Sequence, residues 1–310
     1  MSKGARAFCP GGITSFFEIC DRTVDGKPFS NEEQMGARGG GFVLEEGVLT
    51  EVSATESDKP SIAVFINGRY APHAETTRTV AAILLERVDE PYRISFHHEV
   101  AIPIGAGFGS SGAGALSAAL ALSEALDVDL TLLQAGKIAH IAEIRCHTGL
   151  GTVGPIALGG CVITVEPGAP DHAVIDRIPT TSNHRIVTGY HRPISTKEVL
   201  TSDDLRTVIN ELGRKTVLDI LARPSLENFM RASKEFAAKA GFSTPMTEKL
   251  ISLAEKAGAI GASQNMVGEA VHALTTIDRA EVIAEAFKGV LPSKNILVSR
   301  IDVKGARLLG

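Results

Sequence analysis

The sequence predicts an α+β protein of two domains, and three observations lead to this prediction. The chain has 310 residues, which exceeds the length of most single domains. Strand-like and helix-like segments follow one another in a mixed order, without the regular alternation of a parallel βαβ fold. Composition changes at the segment PGAPDH, residues 167–172. We therefore expect an N-terminal α/β domain over residues 1–168 and a C-terminal, sandwich-like α+β domain over residues 169–310.

Composition and charge exclude several classes of protein. Apolar residues make up 44% of the chain and charged residues 22%, a balance that is typical of globular proteins with a sizeable core. The formal charge of -5 gives no general attraction to nucleic acid or to anionic membranes, so we expect neither as a partner. The N-terminus lacks the apolar run of a signal peptide, and no segment reaches the ~18–20 apolar residues of a membrane helix. The four cysteines show no metal-binding spacing. These features favour a cytoplasmic protein with reduced thiols.

The elements of the first half are predicted from periodicity and turn residues. Residues 5–19, ARAFCPGGITSFFEI, are predicted to form two strands that are broken at the Pro-Gly-Gly. The segment GARGGG, residues 36–41, is too glycine-rich for an element interior and is predicted to be a loop or bulge. Strands are expected over VLTEVSA and SIAVFING, with a hairpin turn at Asn67-Gly68. A helix over residues 76–86 and a strand in YRISFHHEVAIPI follow.

The rest of the chain continues the mixed pattern. A glycine-rich loop at residues 105–109 leads into an alanine-rich helix, and a second helix, LTLLQAGKIAHIAEIRCH, follows almost at once. The glycine-rich TGLGTVGPIALGG then precedes the strand CVITVEP. The second half is predicted to contain a strand RIVTGYH, several helices, the glycine-bearing GAIGASQNMVGEAVHAL and a closing strand ILVSRIDV.

The segment PIGAGFGSSGAGA, residues 103–115, has the composition of a phosphate-binding loop. Its glycines allow backbone amides to approach a ligand closely, and two serines stand where the helix begins. A helix N-terminus presents unpaired N–H groups and a partial positive charge, which together bind phosphate. A serine hydroxyl at that point can also ligate Mg²⁺.

Two other interpretations of this loop remain open. Gly107, Gly109 and Gly112 satisfy the dinucleotide pattern GxGxxG, and Asp127 or Asp129 lies at about the spacing of its acidic residue. However, Pro103 interrupts the preceding segment and a second helix, instead of a strand, follows the first. A purely structural helix start is the second alternative, although three glycines and two serines exceed what a tight turn needs. A Walker loop is excluded, because the chain has no GK[ST] there.

The loop resembles the ATP-binding motif of the GHMP kinase superfamily, Pro-x-x-x-Gly-x-Gly-Ser-Ser. The N-terminal segment over residues 8–19 and the late segment GAIGASQNMVGEA, residues 258–270, resemble the other two superfamily motifs in position. The resemblance implies ATP and Mg²⁺ as cofactors and a two-domain GHMP kinase fold, with ATP held in the N-terminal domain. The nucleotide-binding residues that it implies are Pro103, Gly105, Gly107, Phe108, Gly109, Ser110, Ser111 and Gly112.

Three segments further resemble the archaeal pantoate kinases of coenzyme A synthesis: the opening P-x-x-I-T-x-F-F, the run GLGTVGPIALGG, and PISTKEVL at residues 193–200. Ser195 and Glu198 also have capping-box spacing, so PISTKEVL could simply begin a helix. The resemblance implies pantoate as substrate and a homodimer. The residues that it places at the substrate are Gly12, Thr14, Ser195, Thr196 and Lys197, with Arg38 or Arg192 as additional candidates for the carboxylate.

The resemblance also implies catalytic roles for Ser111, Glu143 and Thr152. Ser111 and Glu143 would hold Mg²⁺ between the β- and γ-phosphates. Thr152 stands where several relatives carry an aspartate that is a plausible general base, and a threonine is too weak an acid to replace it. Since phosphoryl transfer has a loose transition state, positioning and charge neutralisation can carry most of the catalysis without that base. A second departure is Gly12, where related openings carry a histidine.

Three alternative functions follow from these open points. Another GHMP kinase, of the homoserine, shikimate or mevalonate type, would share the loop and differ in its acceptor. A nucleotide-binding pseudokinase would bind ATP without turnover. A dehydrogenase would bind NAD and ignore ATP.

Overall fold

The fold is mixed α and β, with helices and two sheets, as predicted. We describe it from a computed structural model, which covers residues 2–193, 203–266 and 268–310. Within these residues the first sheet has eight strands in the order β12-β1-β2-β5-β3-β4, and β6, paired with β7, joins it along β2. Its strands are β1 (Ser2–Cys20), β2 (Gly36–Glu56), β3 (Ser61–Ile66), β4 (Arg69–Tyr70), β5 (Tyr92–Val100), β6 (Cys161–Glu166), β7 (Val174–Ile178) and β12 (Arg307–Leu309).

The second sheet has four strands in the order β11-β8-β10-β9 among the described residues. These strands are β8 (His184–Pro193), β9 (Gly261–Gln264), β10 (Gly268–Thr276) and β11 (Ile296–Arg300). The helices are α1 (Glu75–Leu85), α2 (Ser110–Ala125), α3 (Leu132–Arg145), α4 (Val153–Leu158), α5 (Asp203–Ala222), α6 (Leu226–Lys239), α7 (Pro245–Lys256) and α8 (Ile277–Lys288). No helix in these stretches is long and apolar enough to cross a membrane.

The glycine-rich segment GARGGG lies inside strand β2, so its prediction as a loop was wrong. Gly39, Gly40 and Gly41 pair with β1 on one side and with β6 on the other. A Cβ at Gly40 would lie 2.8 Å from the rings of Phe16 and Phe229 and 2.9 Å from the carbonyl oxygen of Val162. Glycine is therefore required here by close packing between strands and not by a turn.

The predicted break at Pro10-Gly11-Gly12 is also wrong, because β1 runs without interruption from Ser2 to Cys20. The register with β2 shifts between Pro10 and Gly12 and again between Thr14 and Phe16. The Pro-Gly-Gly sequence thus produces a bulge, which bends the strand without ending it.

Both faces of the first sheet are covered. Alternate residues of β2 point to opposite sides, so Val43 packs with the alanine-rich face of α2 and with α1 and α3, while Phe42 and Leu44 pack towards α5 and α6. The hairpin predicted at Asn67-Gly68 is confirmed, since both residues have positive φ, 47° and 76°, and join β3 to β4. Helices α1, α2 and α3 also form where the sequence predicts them.

The second sheet packs its helices, α7 and α8, around a separate core that includes Val187, Leu250 and Phe287. Helices α5 and α6 pack against the first sheet, and α6 also packs against β9 of the second. The boundary predicted at residues 168 and 169 falls between β6 and β7, which are neighbours in the first sheet, and a domain division at that point stays a prediction.

Candidate active site

A cavity of about 460 Å³ opens where the glycine loop, the start of α2 and the bulged part of β1 meet. Its walls come from β1, β2, the loop at residues 104–112 and the loop at residues 147–152. Most of the wall surface is apolar. The charged or titratable side chains that line it, among the described residues, are Arg38, Glu143 and His147. An apolar cavity with a few convergent polar groups is the usual form of a small-molecule site.

The glycine loop has the backbone of an anion-binding turn. Gly105, Gly107 and Gly109 have φ values of 74°, 78° and 64°, a left-handed region that favours glycine. Gly109 is the N-cap of α2 and accepts the first helical hydrogen bond, from Ala113 N. The N–H groups before Ala113 therefore have no partner within the helix and can bind an anion at the cavity wall.

The loop is held against β1 by its own backbone, since Gly12 N donates to the Phe108 carbonyl oxygen at 3.1 Å. The Phe108 side chain is buried and its ring packs edge-on against Tyr190, so Phe108 offers backbone atoms to the cavity wall. Pro103 precedes the loop and is not among the lining residues. The other predicted nucleotide-binding residues line the cavity: Gly105, Gly107, Phe108, Gly109, Ser110, Ser111 and Gly112.

Glu143 presents a buried carboxylate at the base of the loop. It lies on α3, is 2% exposed, and accepts a hydrogen bond through Oε1 from Thr148 Oγ1 at 3.0 Å. The Ser111 hydroxyl, on the first turn of α2, lies beside the same carboxylate. Burial raises the pKa of Glu143, although the Ser111 and Thr148 hydroxyls act in the opposite direction. The helix pair α2–α3 thus brings together Ser111 and Glu143, two residues that the sequence predicts to share a role.

Two glycines leave room for this carboxylate. A Cβ at Gly112 would lie 2.9 Å from Glu143 Oε2, and a Cβ at Gly149 would lie 2.9 Å from the Glu143 carboxyl carbon. The described residues contain no group of three or more His, Cys, Asp or Glu side chains that could hold a metal alone. One carboxylate, one serine hydroxyl and an adjacent phosphate-binding loop nevertheless fit Mg²⁺, which is usually bound by one or two carboxylates together with substrate phosphates and water.

The acceptor end of the cavity is formed by β1, β2 and the hairpin between β9 and β10. Gly12 and Thr14 line the cavity, and their contact with a substrate stays a prediction. A side chain at Gly12 would displace Ile156, because its Cβ would lie 2.6 Å from Ile156 Cγ2. Ser195, Thr196 and Lys197 lie outside the described residues.

Arg38 supplies the one arginine side chain among the described residues that line the cavity. Its Nη1 donates to Glu18 Oε2 at 3.3 Å, its Nη2 to Glu166 Oε2 at 3.3 Å and its Nε to the Val165 carbonyl oxygen at 3.0 Å. These bonds fix the guanidinium at the cavity wall. Arg192, the other candidate, does not line the cavity and donates to Glu269 instead.

Thr152 is half-buried at the start of α4 and also lines the cavity. Its hydroxyl makes no capping hydrogen bond to α4. Its methyl group faces the loop, since a Cβ at Gly109 would lie 2.7 Å from Thr152 Cγ2. The position therefore stands between the loop and β1.

Sequence reasoning missed several lining residues, including His147, Leu150, Thr164 and Met266. Met266 falls within the late glycine-bearing motif at residues 258–270, so this motif could have indicated that Met266 lies at the site. Thr164 lies opposite Gly39 in the β2–β6 pairing, a neighbour that no local pattern indicates.

Comparison with known proteins agrees with this geometry. Residues 75–160 match the family described as GHMP kinases N terminal domain. A pantoate kinase of Methanocaldococcus jannaschii is 31% identical over 90% of this chain and 95% of its own length. A pantoate kinase of Thermococcus kodakarensis is 32% identical, with 89% of each chain covered. A solved structure described as a phosphotransferase related to the CoA biosynthesis pathway superposes with a TM-score of 0.87 at 26% identity, over 99% of this chain and 98% of that chain.

Proposed function

The chain belongs to the GHMP kinase family, phosphotransferases that act on a hydroxyl group, and we propose that it transfers the γ-phosphate of ATP to pantoate, forming 4-phosphopantoate. Kinases of this family use ATP. The names of the two pantoate kinases and of the CoA-related phosphotransferase support pantoate as the acceptor and coenzyme A synthesis as the context.

The observation that carries the proposal is the buried Glu143 carboxylate, which lies against the first turn of α2 and lines the same cavity as Ser111. Backbone N–H groups of the loop can bind the phosphates there, and Ser111 and Glu143 would hold Mg²⁺ beside them. When bound, Mg²⁺ neutralises charge that builds up on the phosphates during transfer. The raised pKa of Glu143 reflects an ionised carboxylate that is costly without a counter-charge, and a cation at this position would supply that charge.

The acceptor end matches the chemistry of pantoate in two respects. Pantoate carries a carboxylate and a carbon with two methyl groups. Arg38 keeps one Nη2 N–H beyond its bonds to Glu18, Glu166, Cys20 and Val165, and this N–H can donate to the pantoate carboxylate. Ile13, Phe17 and Leu150 offer apolar surface for the methyl groups. Among the described lining residues Glu143 is the one carboxylate. An amino-acid acceptor such as homoserine would need a second carboxylate in the wall to pair with its ammonium group. This wall therefore favours an acceptor that has no ammonium group.

The attacking hydroxyl meets no aspartate at position 152. Thr152 can donate or accept a hydrogen bond, but its hydroxyl cannot act as a general base at neutral pH. We therefore infer that the loop amides, Ser111 and Glu143 supply catalysis by positioning and charge neutralisation, and that the hydroxyl proton leaves late. The homodimer implied by the resemblance stays a prediction.

A coupled assay of ADP release tests the proposal. The purified chain would be given MgATP with pantoate, homoserine, mevalonate or shikimate at equal concentrations. We expect turnover with pantoate to exceed turnover with each of the others by at least about tenfold in kcat/KM, because one extra or missing methyl group in an apolar pocket is worth roughly ten- to two-hundredfold. ATP binding without turnover on any acceptor would instead identify a pseudokinase.

A further inference from the structure

The tip of the β9–β10 hairpin touches both ends of the cavity. Met266 N donates to the Thr14 carbonyl oxygen at 2.8 Å, and Met266 and Thr14 both line the cavity. Gly268 lies against the glycine loop, because a Cβ there would be 3.3 Å from the backbone carbon and oxygen of Ala106. The tip therefore bridges the acceptor strand β1 and the phosphate-binding loop.

A buried chain of three polar side chains lies directly beneath this tip. Ser15 Oγ and His272 Nε2 are 2.9 Å apart, and His272 Nδ1 and Asn265 Oδ1 are 2.8 Å apart. Ser15, His272 and Asn265 are each 0% exposed. Ser15 lies on β1 and His272 lies on β10. Asn265 directly precedes Met266 in the chain. The chain thus ties the tip to the strand on which Thr14 lies.

The donors and acceptors of this chain can be assigned. With the Asn265 amide oriented so that Oδ1 faces the ring, which leaves its Nδ2 without a partner among the described residues, Oδ1 accepts and His272 donates through Nδ1. His272 Nε2 is then the acceptor, and the Ser15 hydroxyl donates to it. Burial lowers the pKa of His272 to about 3, so the ring stays neutral and keeps this single arrangement across the physiological pH range. One neutral tautomer with two partners gives the tip a defined position.

We propose that Ser15, His272 and Asn265 are positioning residues that hold the β9–β10 tip against the phosphate loop and the acceptor strand. This inference uses the proposed function only in taking the loop as the binding site for nucleotide phosphates. The reason is geometric: the tip contacts backbone atoms of Ala106 and Thr14, and their spacing sets the distance between phosphate and acceptor. None of the three side chains reaches the cavity wall, so their effect is transmitted through Met266 and Gly268.

Ser15→Ala tests the proposal, with Ser263→Ala as the matched control. Ser263 lies on β9 directly opposite His272, is 0% exposed, and its hydroxyl has no hydrogen-bond partner among the described residues. Both changes remove one buried hydroxyl from the same region, but only the first breaks the chain. Affinity for AMPPCP with Mg²⁺ would be measured by calorimetry, kcat with pantoate by ADP release, and Tm by circular dichroism.

We expect Ser15→Ala to weaken AMPPCP binding about three- to tenfold and to lower kcat, whereas Ser263→Ala stays within about twofold of the parent. His272→Leu should show a larger loss, and His272→Gln, which keeps a polar group facing Ser15, should recover part of it. If His272→Leu does not fold, the comparison of Ser15→Ala with Ser263→Ala in AMPPCP affinity and kcat decides whether the chain has a positioning role.

Equal AMPPCP affinity and kcat in Ser15→Ala and Ser263→Ala, with only Tm lowered, would overturn the positioning role. The proposed function is tested by a different result, the turnover of the parent protein with pantoate. A parent protein that binds AMPPCP but does not phosphorylate pantoate would refute that function, while the difference between the two serine variants in AMPPCP binding would still support the role of the chain.

Discussion

Gly149→Ala should disable the Glu143 carboxylate without removing any catalytic group. A Cβ at this position would lie 2.9 Å from the Glu143 carboxyl carbon, and closer still to Oε2. Ordinary van der Waals contact lies between 3.4 and 4 Å, so the carboxyl carbon has to retreat by about 0.5–1.1 Å and Oε2, the nearer atom, by more. The hydrogen bond from Thr148 and the position of the carboxylate beside Ser111 would be lost or changed by that movement.

The expected loss follows from this displacement. A misplacement of about 1 Å in a catalytic arrangement can cost on the order of a hundredfold in rate. We therefore expect kcat to fall by about ten- to a hundredfold and the Mg²⁺ concentration needed for half-maximal rate to rise. Stability should change little, because the group that moves is the end of a flexible side chain and the Gly149 φ is not in the left-handed region.

Gly114→Ala is the matched control for that variant. Gly114 lies in α2, and a Cβ there meets no atom within 4 Å. Alanine in a helix interior is favoured over glycine by roughly 0.5–1 kcal/mol, so this variant should gain slightly in Tm and keep its activity. The assay is steady-state ADP release over a Mg²⁺ titration, with Tm measured in parallel. Parental kcat and Mg²⁺ dependence in a folded Gly149→Ala protein would refute the assignment of Glu143 to the metal.

Three further predictions test the remaining roles. Ser111→Ala should lower kcat about a hundredfold while leaving ATP affinity within about threefold, because the loop amides still hold the phosphates; parental kcat in this variant would discard the Mg²⁺ role of Ser111. Glu143→Gln should lower turnover in a way that excess Mg²⁺ restores only partly. In metal-free buffer the same variant should raise Tm at pH 8 and leave it unchanged at pH values well below the usual 4.5, because burial raises the pKa of Glu143 and makes the ionised form destabilising; equal Tm changes at both pH values would contradict this. Thr152→Val should keep activity within about tenfold, the cost of one hydrogen bond, and kcat should show no acidic limb from a carboxylate base. A loss of several orders of magnitude in a folded Thr152→Val protein that binds ATP would favour an essential proton relay.

Local patterns in the sequence were reliable where neighbouring residues decide the structure. The Asn67-Gly68 turn, the helices α1 to α3 and the loop at residues 105–109 all form as predicted. Each depends on backbone preferences or on hydrogen bonds within a few residues. The segment GARGGG was misread for the same reason, since a run of glycines usually indicates a turn. In β2 those glycines instead meet β1, β6 and the ring of Phe229, which are distant in sequence.

The sequence by itself predicted a phosphate-binding helix start at residues 105–111, and its resemblance to the family indicated Ser111, Glu143 and Thr152 as the residues to examine beside it. It also indicated the family, because the loop motif is short and contiguous. Only the tertiary structure decided that Glu143 is buried against Gly112 and Gly149, that Arg38 and not Arg192 lines the cavity, and that Ser15 and His272 meet across 257 residues. The physical reason is that burial, ion-pair choice and buried hydrogen bonds depend on which distant segments pack together. Packing is a property of the whole chain, and no local spacing specifies it.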